Sequence, residues 1–181
     1  MNNFSNFILE TNRLKLVAVT EKYAEDIFKG LNKDVTEYMY PKQADDISET
    51  LAFIKSQIKL NQEGKNIGIV ILDKYSGEFF GGGGLHSVHE PVAELGIWIK
   101  KSAHGHGYGK EAITELSKWA VKNLTILGMI YPVDFENIAS RRIPESMGGH
   151  IVAHENGVNM SGQLRHWVTY LIDAKVFREN I

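Results

Sequence analysis

The stretch IWIKKSAHGHGYGKEAITEL, residues 97–116, sets Gly105, Gly107 and Gly109 on alternate positions between an apolar run and a helical run. Glycine adds no side chain to packing and costs conformational entropy on folding, so this cluster marks a sharp turn or a close approach to another group. Where a helix begins, the first backbone N–H groups point outward unpaired, and the helix dipole adds about half a positive charge. That combination suits an anion, a phosphate above all; Lys110 adds a formal charge, and Lys100 and Lys101 stand at the loop's other end. A Walker-type P-loop does not fit, because His104 occupies the place of its first glycine and Glu111 that of its Ser or Thr. The dinucleotide pattern GxGxx(G/A) is met by Gly107, Gly109 and Ala112, with Asp134 further on at a strand end. A nicotinamide-dependent oxidoreductase would follow from it, but the loop is preceded by a hairpin meander and followed by too few residues for successive parallel units. His104 and His106 sit two apart on a glycine loop with no third ligand identifiable nearby, which makes a poor metal site. What survives is the anion-suited helix start, with a glycine turn that binds nothing as its alternative.

The elements that position this loop follow from hydrophobic period. Leu14 to Val19 alternates as a strand, and Thr20 reads as the cap of a helix with Tyr23, Ala24, Ile27, Phe28 and Leu31 on one face. Asp46 with Glu49 forms a capping box ahead of Ile47, Leu51, Ile54 and Ile58, and that helix ends by Gly64. IGIVILD, FFGGGGLHSV and AELGIWIK then read as a three-strand antiparallel meander. Gly81 to Gly84 in its middle strand read as a twisted or bulged segment with another backbone close by, without chemistry. A helix over Glu111 to Leu124, a strand over Ile126 to Val133, a short helix around Asn137 to Met147, and strands near Ile151 to Ala153 and Leu164 to Ile172 complete a mixed α/β chain.

Composition limits what such a chain can do. At 181 residues it supports one domain with a real core. A formal charge of -2 gives no net attraction to nucleic acid or to an anionic membrane. The lack of cysteine excludes disulfides, thiolate metal sites and a cysteine nucleophile together. The first residues lack the order of a signal peptide, Asn2 is incompatible with N-myristoylation, and no apolar run approaches the roughly 20 residues that span a bilayer. A soluble cytoplasmic protein is the expectation.

AELGIWIKKSAHGHGYGKEA, then YPVDFENIASRRIPESMGG, then a final LRHWVTYLI strand resemble the GNAT superfamily of acyl-CoA N-acyltransferases, within it the ribosomal-protein N-terminal acetyltransferase-like branch. The resemblance covers nearly the whole chain and implies a single GNAT domain of α/β (α+β) class. In that domain a mixed, mostly antiparallel sheet with a splayed central strand pair is flanked by helices. Its loop pattern (R/Q)xxGx(G/A) is matched by His104, Gly105, His106, Gly107, Tyr108 and Gly109, with histidine at the first position, and implies main-chain binding of the coenzyme pyrophosphate. Ile97, Trp98 and Ile99 would pair with the pantetheine arm, as a peptide adds to a strand edge. Asn137, Ser140, Arg142 and Glu145 match the family's NxxSxRxxExxG helix, from which Asn137 would contact the coenzyme and Ser140 protonate the leaving thiolate. The same helix start also reads as a plain cap by Asp134 or Asn137, with Ser140 bonding a backbone carbonyl. Pro144 and the MGG that follows depart from the family pattern and imply a bent or displaced helix end.

The resemblance further implies direct attack of an amine on acetyl-CoA, without a covalent enzyme intermediate and without a metal. Glu94, on the same strand face as Gly96 and Trp98, is the candidate base, with His86 and His89 as competitors. Trp98 and the Tyr38, Met39, Tyr40 cluster would line the acceptor side; the acceptor itself is a protein N-terminus or a small-molecule amine, and a homodimer is compatible with the pattern. A non-catalytic acyl-CoA-binding module would keep the glycine cradle and lack the acid and base.

Overall fold

The computed structural model describes residues 2–178. Period-2 and period-3.6 patterns give, in chain order, β1 (Ile8–Glu10), β2 (Leu14–Ala18), α1 (Ala24–Gly30), α2 (Lys33–Thr36), α3 (Ile47–Gln62), β3 (Ile67–Asp73), β4 (Phe79–His86) and β5 (Val92–Ile99). There follow α4 (Tyr108–Asn123), β6 (Gly128–Asp134), α5 (Ile138–Glu145), β7 (His150–Val158), β8 (Leu164–Asp173) and α6 (Lys175–Arg178). One eight-stranded sheet runs in the order β1-β2-β3-β4-β5-β6-β8-β7. Its neighbours pair antiparallel except β5 and β6, which are parallel. A single parallel pair does not make the repeated βαβ units of a dinucleotide fold.

Strand alternation divides the apolar residues between two layers. On one face Leu14, Leu16, Ile67, Leu85, Leu95 and Met129 pack under Ile113 and Leu116 of α4. On the other, Val19, Ile27, Ile54, Val70 and Phe79 form a smaller core under α1 and α3, with Trp98 against it. Each such side chain contributes about 1.5–3 kcal/mol when fully buried, so the layers lock the strand faces and hence the register. Among the described residues no helix is long and apolar enough to cross a membrane.

Several local expectations shift. Thr20 makes no capping bond and precedes a short 3-10 turn rather than α1 itself. Asp46 caps α3 by accepting from Ser48 N at 2.8 Å, while the Glu49 side chain does not close the box. The fourth helix starts at Tyr108, three residues ahead of Glu111, because the glycine loop flows straight into it. Pro144 falls in the last turn of α5, where it has no N–H to donate to the Ser140 carbonyl, and Gly149 lets that end close up: a Cβ there would lie 2.7 Å from the Pro144 carbonyl oxygen.

Candidate active site

Pairing between β5 and β6 covers only Val92↔Gly128, Ala93↔Met129 and Glu94↔Ile130. Beyond that point β5 continues on β4 as far as Ile99, and β6 continues on β8 as far as Asp134. The central strands therefore part after Glu94, and Leu95–Ile99 turn an unpaired backbone edge toward the gap. The start of α4 stands at the mouth of this gap: a Cβ on Gly109 would lie 3.5 Å from Ile143 Cδ1, 3.6 Å from Ile99 Cγ1 and 3.8 Å from Ile97 Cδ1.

The glycine loop is exposed and left-handed at two points, with φ of 81° at Gly105 and 76° at Gly107. L residues with side chains rarely adopt that region, which explains glycine at both. Gly107 caps α4 without a side-chain bond, and the first amide of the helix to find a partner is Glu111, on the Gly107 carbonyl. The N–H groups of Tyr108, Gly109 and Lys110 have no partner among the described residues. His104 Nε2 donates to the Ile99 carbonyl at 2.7 Å and ties the loop to the strand end. His106 stacks on Tyr108, which in turn stacks on Phe80. Lys110 and Lys101 are exposed, whereas Lys100 is paired with Glu78 at 2.7 Å.

A brace invisible in the local sequence fixes the loop. Arg13 Nη1 donates to the His106 carbonyl at 3.0 Å, its Nε to Glu111 Oε2 at 2.7 Å, and its guanidinium lies 4.7 Å above the Tyr108 ring. Glu111 also accepts from Thr11 Oγ1 and Arg13 N. Burial opposes ionisation of Glu111, but these bonds from Thr11 and Arg13 outweigh it and hold the carboxyl below its usual range.

On the opposite side of the gap, Asn137 caps α5, its side-chain oxygen accepting from Ser140 N at 3.1 Å. The capping reading of Asn137 is thus correct for its oxygen, and its amide nitrogen has no partner among the described residues. Ser140 does not bond a backbone carbonyl; its Oγ lies 2.8 Å from the hydroxyl of Tyr131, a buried β6 residue that sequence reasoning missed. Burial pushes the Tyr131 phenol up to about 12, the Ser140 bond opposing. Arg141 Nε donates to Tyr170 Oη, which donates to Glu145, and these bonds pin α5 to β8. Arg142 is exposed.

Glu94 is the last β5 residue paired to β6, at the vertex of the gap, and is exposed. Ala93 and Leu95 point into the α4 layer, so Glu94 faces the α1–α3 side together with its register partner His86. Tyr131 belongs to the α4 layer and carries Ser140 to that face. The two groups therefore address one opening from opposite sides of the sheet. His89 lies beyond β4, exposed and 3.4 Å from Glu90, away from the vertex. Trp98 and Met39 line a cavity under α1 and α3. Tyr38 lies under the Arg165 guanidinium and Tyr40 packs on Trp167, so these two are committed to β8. Asp134 is buried and accepts from Glu136 N at 2.8 Å, with Arg165 Nε 3.8 Å away. It is not presented to a ribose. Among the described residues no group of three or more His, Cys, Asp or Glu could hold a metal ion.

Known proteins are similar to this chain in sequence and fold. A protein of Bacillus subtilis (strain 168), YoaA, described as an uncharacterized N-acetyltransferase, is 29% identical over 144 residues, which are 78% of this chain and 81% of that protein. The crystal structure of RimL, a ribosomal L7/L12 alpha-N-protein acetyltransferase in complex with coenzyme A, superposes with a TM-score of 0.81 at 18% identity, over 92% of this chain and 98% of that one. A GNAT-family acetyltransferase from Bacillus anthracis superposes with a TM-score of 0.78 at 19% identity, over 93% and 99% of the two chains. Residues 13–150, which hold the parted strands, the glycine loop and the Asn137 helix, match the acetyltransferase (GNAT) domain, and the chain belongs to that family of acetyl-CoA-dependent N-acetyltransferases.

Proposed function

We propose that this chain transfers the acetyl group of acetyl-CoA to a primary amine, either a protein N-terminus or a small molecule, in one complex. The observation that carries the proposal is the end of β5–β6 pairing at Glu94↔Ile130 with a free-amide helix start at the mouth of the gap. Acetyl-CoA supplies an activated acyl thioester. The residues fit it: the N–H groups of Tyr108, Gly109 and Lys110 suit a pyrophosphate, with Gly105 and Gly107 allowing close approach and His104 and His106 shaping the loop. The unpaired edge at Ile97, Trp98 and Ile99 suits the amide groups of an extended arm, and the open Asn137 amide nitrogen adds one donor.

Glu94 takes the proton from the attacking amine, directly or through one water. Tyr131, neutral across the working range, donates to Ser140 Oγ and leaves the serine hydrogen for the departing thiolate. A thiol near pKa 8.5 leaves tolerably well, so the aid from Ser140 is modest, about tenfold, and shrinks as pH rises. Folding favours the protonated phenol of Tyr131. That contribution to stability is present below about pH 10 and is lost as pH rises through about 12.

The test is thiol release from acetyl-CoA with an amine panel, beside thermal shifts with acetyl-CoA, CoA and NADH. Acetyl-CoA and CoA should raise the melting temperature and NADH should not, and thiol release should depend on an amine. Glu94→Gln should lower kcat about 10²-fold on the acid limb with little change in coenzyme affinity. Ser140→Ala should lower kcat and kcat/KM together by about tenfold near neutral pH. Tyr131→Phe should act in the same direction, by less, with no new titration between pH 8 and about 10. Stabilisation by acetyl-CoA without thiol release for any amine would instead mark a binding module.

A further inference from the structure

The cavity on the α1–α3 face has a volume of about 200 Å³. Its floor is bare because Gly68 pairs with Gly84 and Gly84 with Gly96, a row of glycines across β3, β4 and β5. Gly82, two residues along β4, lies under the Trp98 indole, where a Cβ would meet Nε1 at 3.1 Å. Ile27, Met39 and Trp98 form the walls, and Phe53 of α3, 52% exposed, stands at the mouth. None of the described lining residues carries a formal charge; Gln57 and His86 are the polar side chains. The cavity reaches β5 at Gly96–Trp98, on the strand face and within two residues of Glu94.

The hydrogen-bond network determines what His86 offers there. Ser87 N donates to Asn66 Oδ1 at 3.1 Å, which orients that amide and directs its NH₂ group to His86 Nδ1 at 3.0 Å. Nδ1 is thereby an acceptor, and the neutral ring carries its hydrogen on Nε2. A Cβ on Gly96 would lie 3.5 Å from that Nε2, so the N–H points over the bare floor. Burial lowers the His86 pKa, against the pull of Glu94, and keeps the ring neutral. His86 is in this state a donor, with no lone pair left for a proton.

We infer that this cavity holds the side group of the amine acceptor and selects an α-amino amide with an uncharged, apolar side chain, His86 Nε2–H donating to its carbonyl. The inference rests on the acetyl-transfer reading above. A cavity of about 150 Å³ lined by aliphatic and aromatic groups already holds a benzene ring, so a phenylalanine or leucine side chain fits the space. An ammonium or carboxylate side group placed there would lose its hydration among uncharged walls, and the nearby carboxylate of Glu94 is engaged with the attacking amine, so cationic acceptors such as polyamines are disfavoured.

The experiment compares acetyl-CoA thiol release with phenylalaninamide, leucinamide, lysinamide, spermidine and 2-phenylethylamine. Phenylalaninamide and leucinamide should exceed lysinamide and spermidine in kcat/KM by about 100-fold, as expected for a charge left unpaired in an apolar site. His86→Leu should cost phenylalaninamide about tenfold more than 2-phenylethylamine, which lacks the carbonyl, and His86→Gln, with a donor near the Nε2 position, should recover most of it. Equal or better turnover of spermidine or lysinamide overturns the inference and leaves acetyl transfer standing. Equal losses for both phenyl amines in His86→Leu, with a changed pH profile, overturn the donor role in favour of a base. No thiol release with any amine overturns this inference and the transfer reading together. The ranking of amines uses the unmodified protein, so it decides the matter even if His86→Leu does not fold.

Discussion

Gly81–Gly84 in β4 and Gly105–Gly109 before α4 are both glycine-rich, yet they are bare for opposite reasons. In β4 the protein's own backbone fills the space: a Cβ would lie 2.1 Å from Trp98 O at Gly81, 2.3 Å from Gly96 O at Gly83 and 2.3 Å from Ile67 O at Gly84. In the loop nothing lies within 4 Å of a Cβ at Gly105, and at Gly107 the nearest atom is Arg13 Nη2 at 3.8 Å. The first run lets three strands twist closely together and hollows the floor of the cavity under α1 and α3. The second supplies left-handed turns and a helix start open to a ligand. Glycine count does not separate packing from binding; what a side chain would meet does.

Substitution at each run should break in a different observable. Gly83→Ala drives a methyl into the backbone of β5, and should cost about 3 kcal/mol of stability, read as a lowered urea midpoint. An unchanged midpoint would show that β4 relaxes freely and would erase the contrast. Gly109→Val sits in ordinary helical backbone with room for its Cβ, so melting temperature should hold while acetyl-CoA affinity measured by calorimetry falls at least about tenfold, near 1.4 kcal/mol. Parental affinity in that folded variant would remove the cradle from the binding site. Gly105→Ala should cost about 1 kcal/mol of stability through its positive φ alone, with coenzyme affinity within about threefold of the parent.

Much of the architecture was legible in the residues. The alternation of Leu14–Ala18, the run IGIVILD and the helical spacing of Ile113, Leu116 and Ala120 report one buried face each, and burial is what periodicity encodes. Gly81–Gly84 was correctly read as a segment crowded by backbone. The edges were less legible: β1 has three residues, and β7 is so exposed on both faces that no alternation marks its extent beyond Ala153. In the site, the glycine loop and the Asn137 helix announce themselves by residue type. Arg13 does not, because its partner Glu111 lies 98 residues away. Tyr131 reads as one more apolar strand residue until the fold places its hydroxyl on Ser140.

The sequence by itself determined the order of the longer strands and helices, the anion-suited start of α4 and the family pattern, while the short β1, α2 and α6 escaped it; what it determined depends on local backbone preference and on spacing within one element. Only the tertiary structure decided where β5 and β6 part, that Glu94 and Ser140 approach the gap from opposite faces, and that His86 presents a donor. Each of these depends on a pairing or hydrogen bond between segments distant along the chain, and such a contact exists only once the core has fixed the register of the strands that carry it.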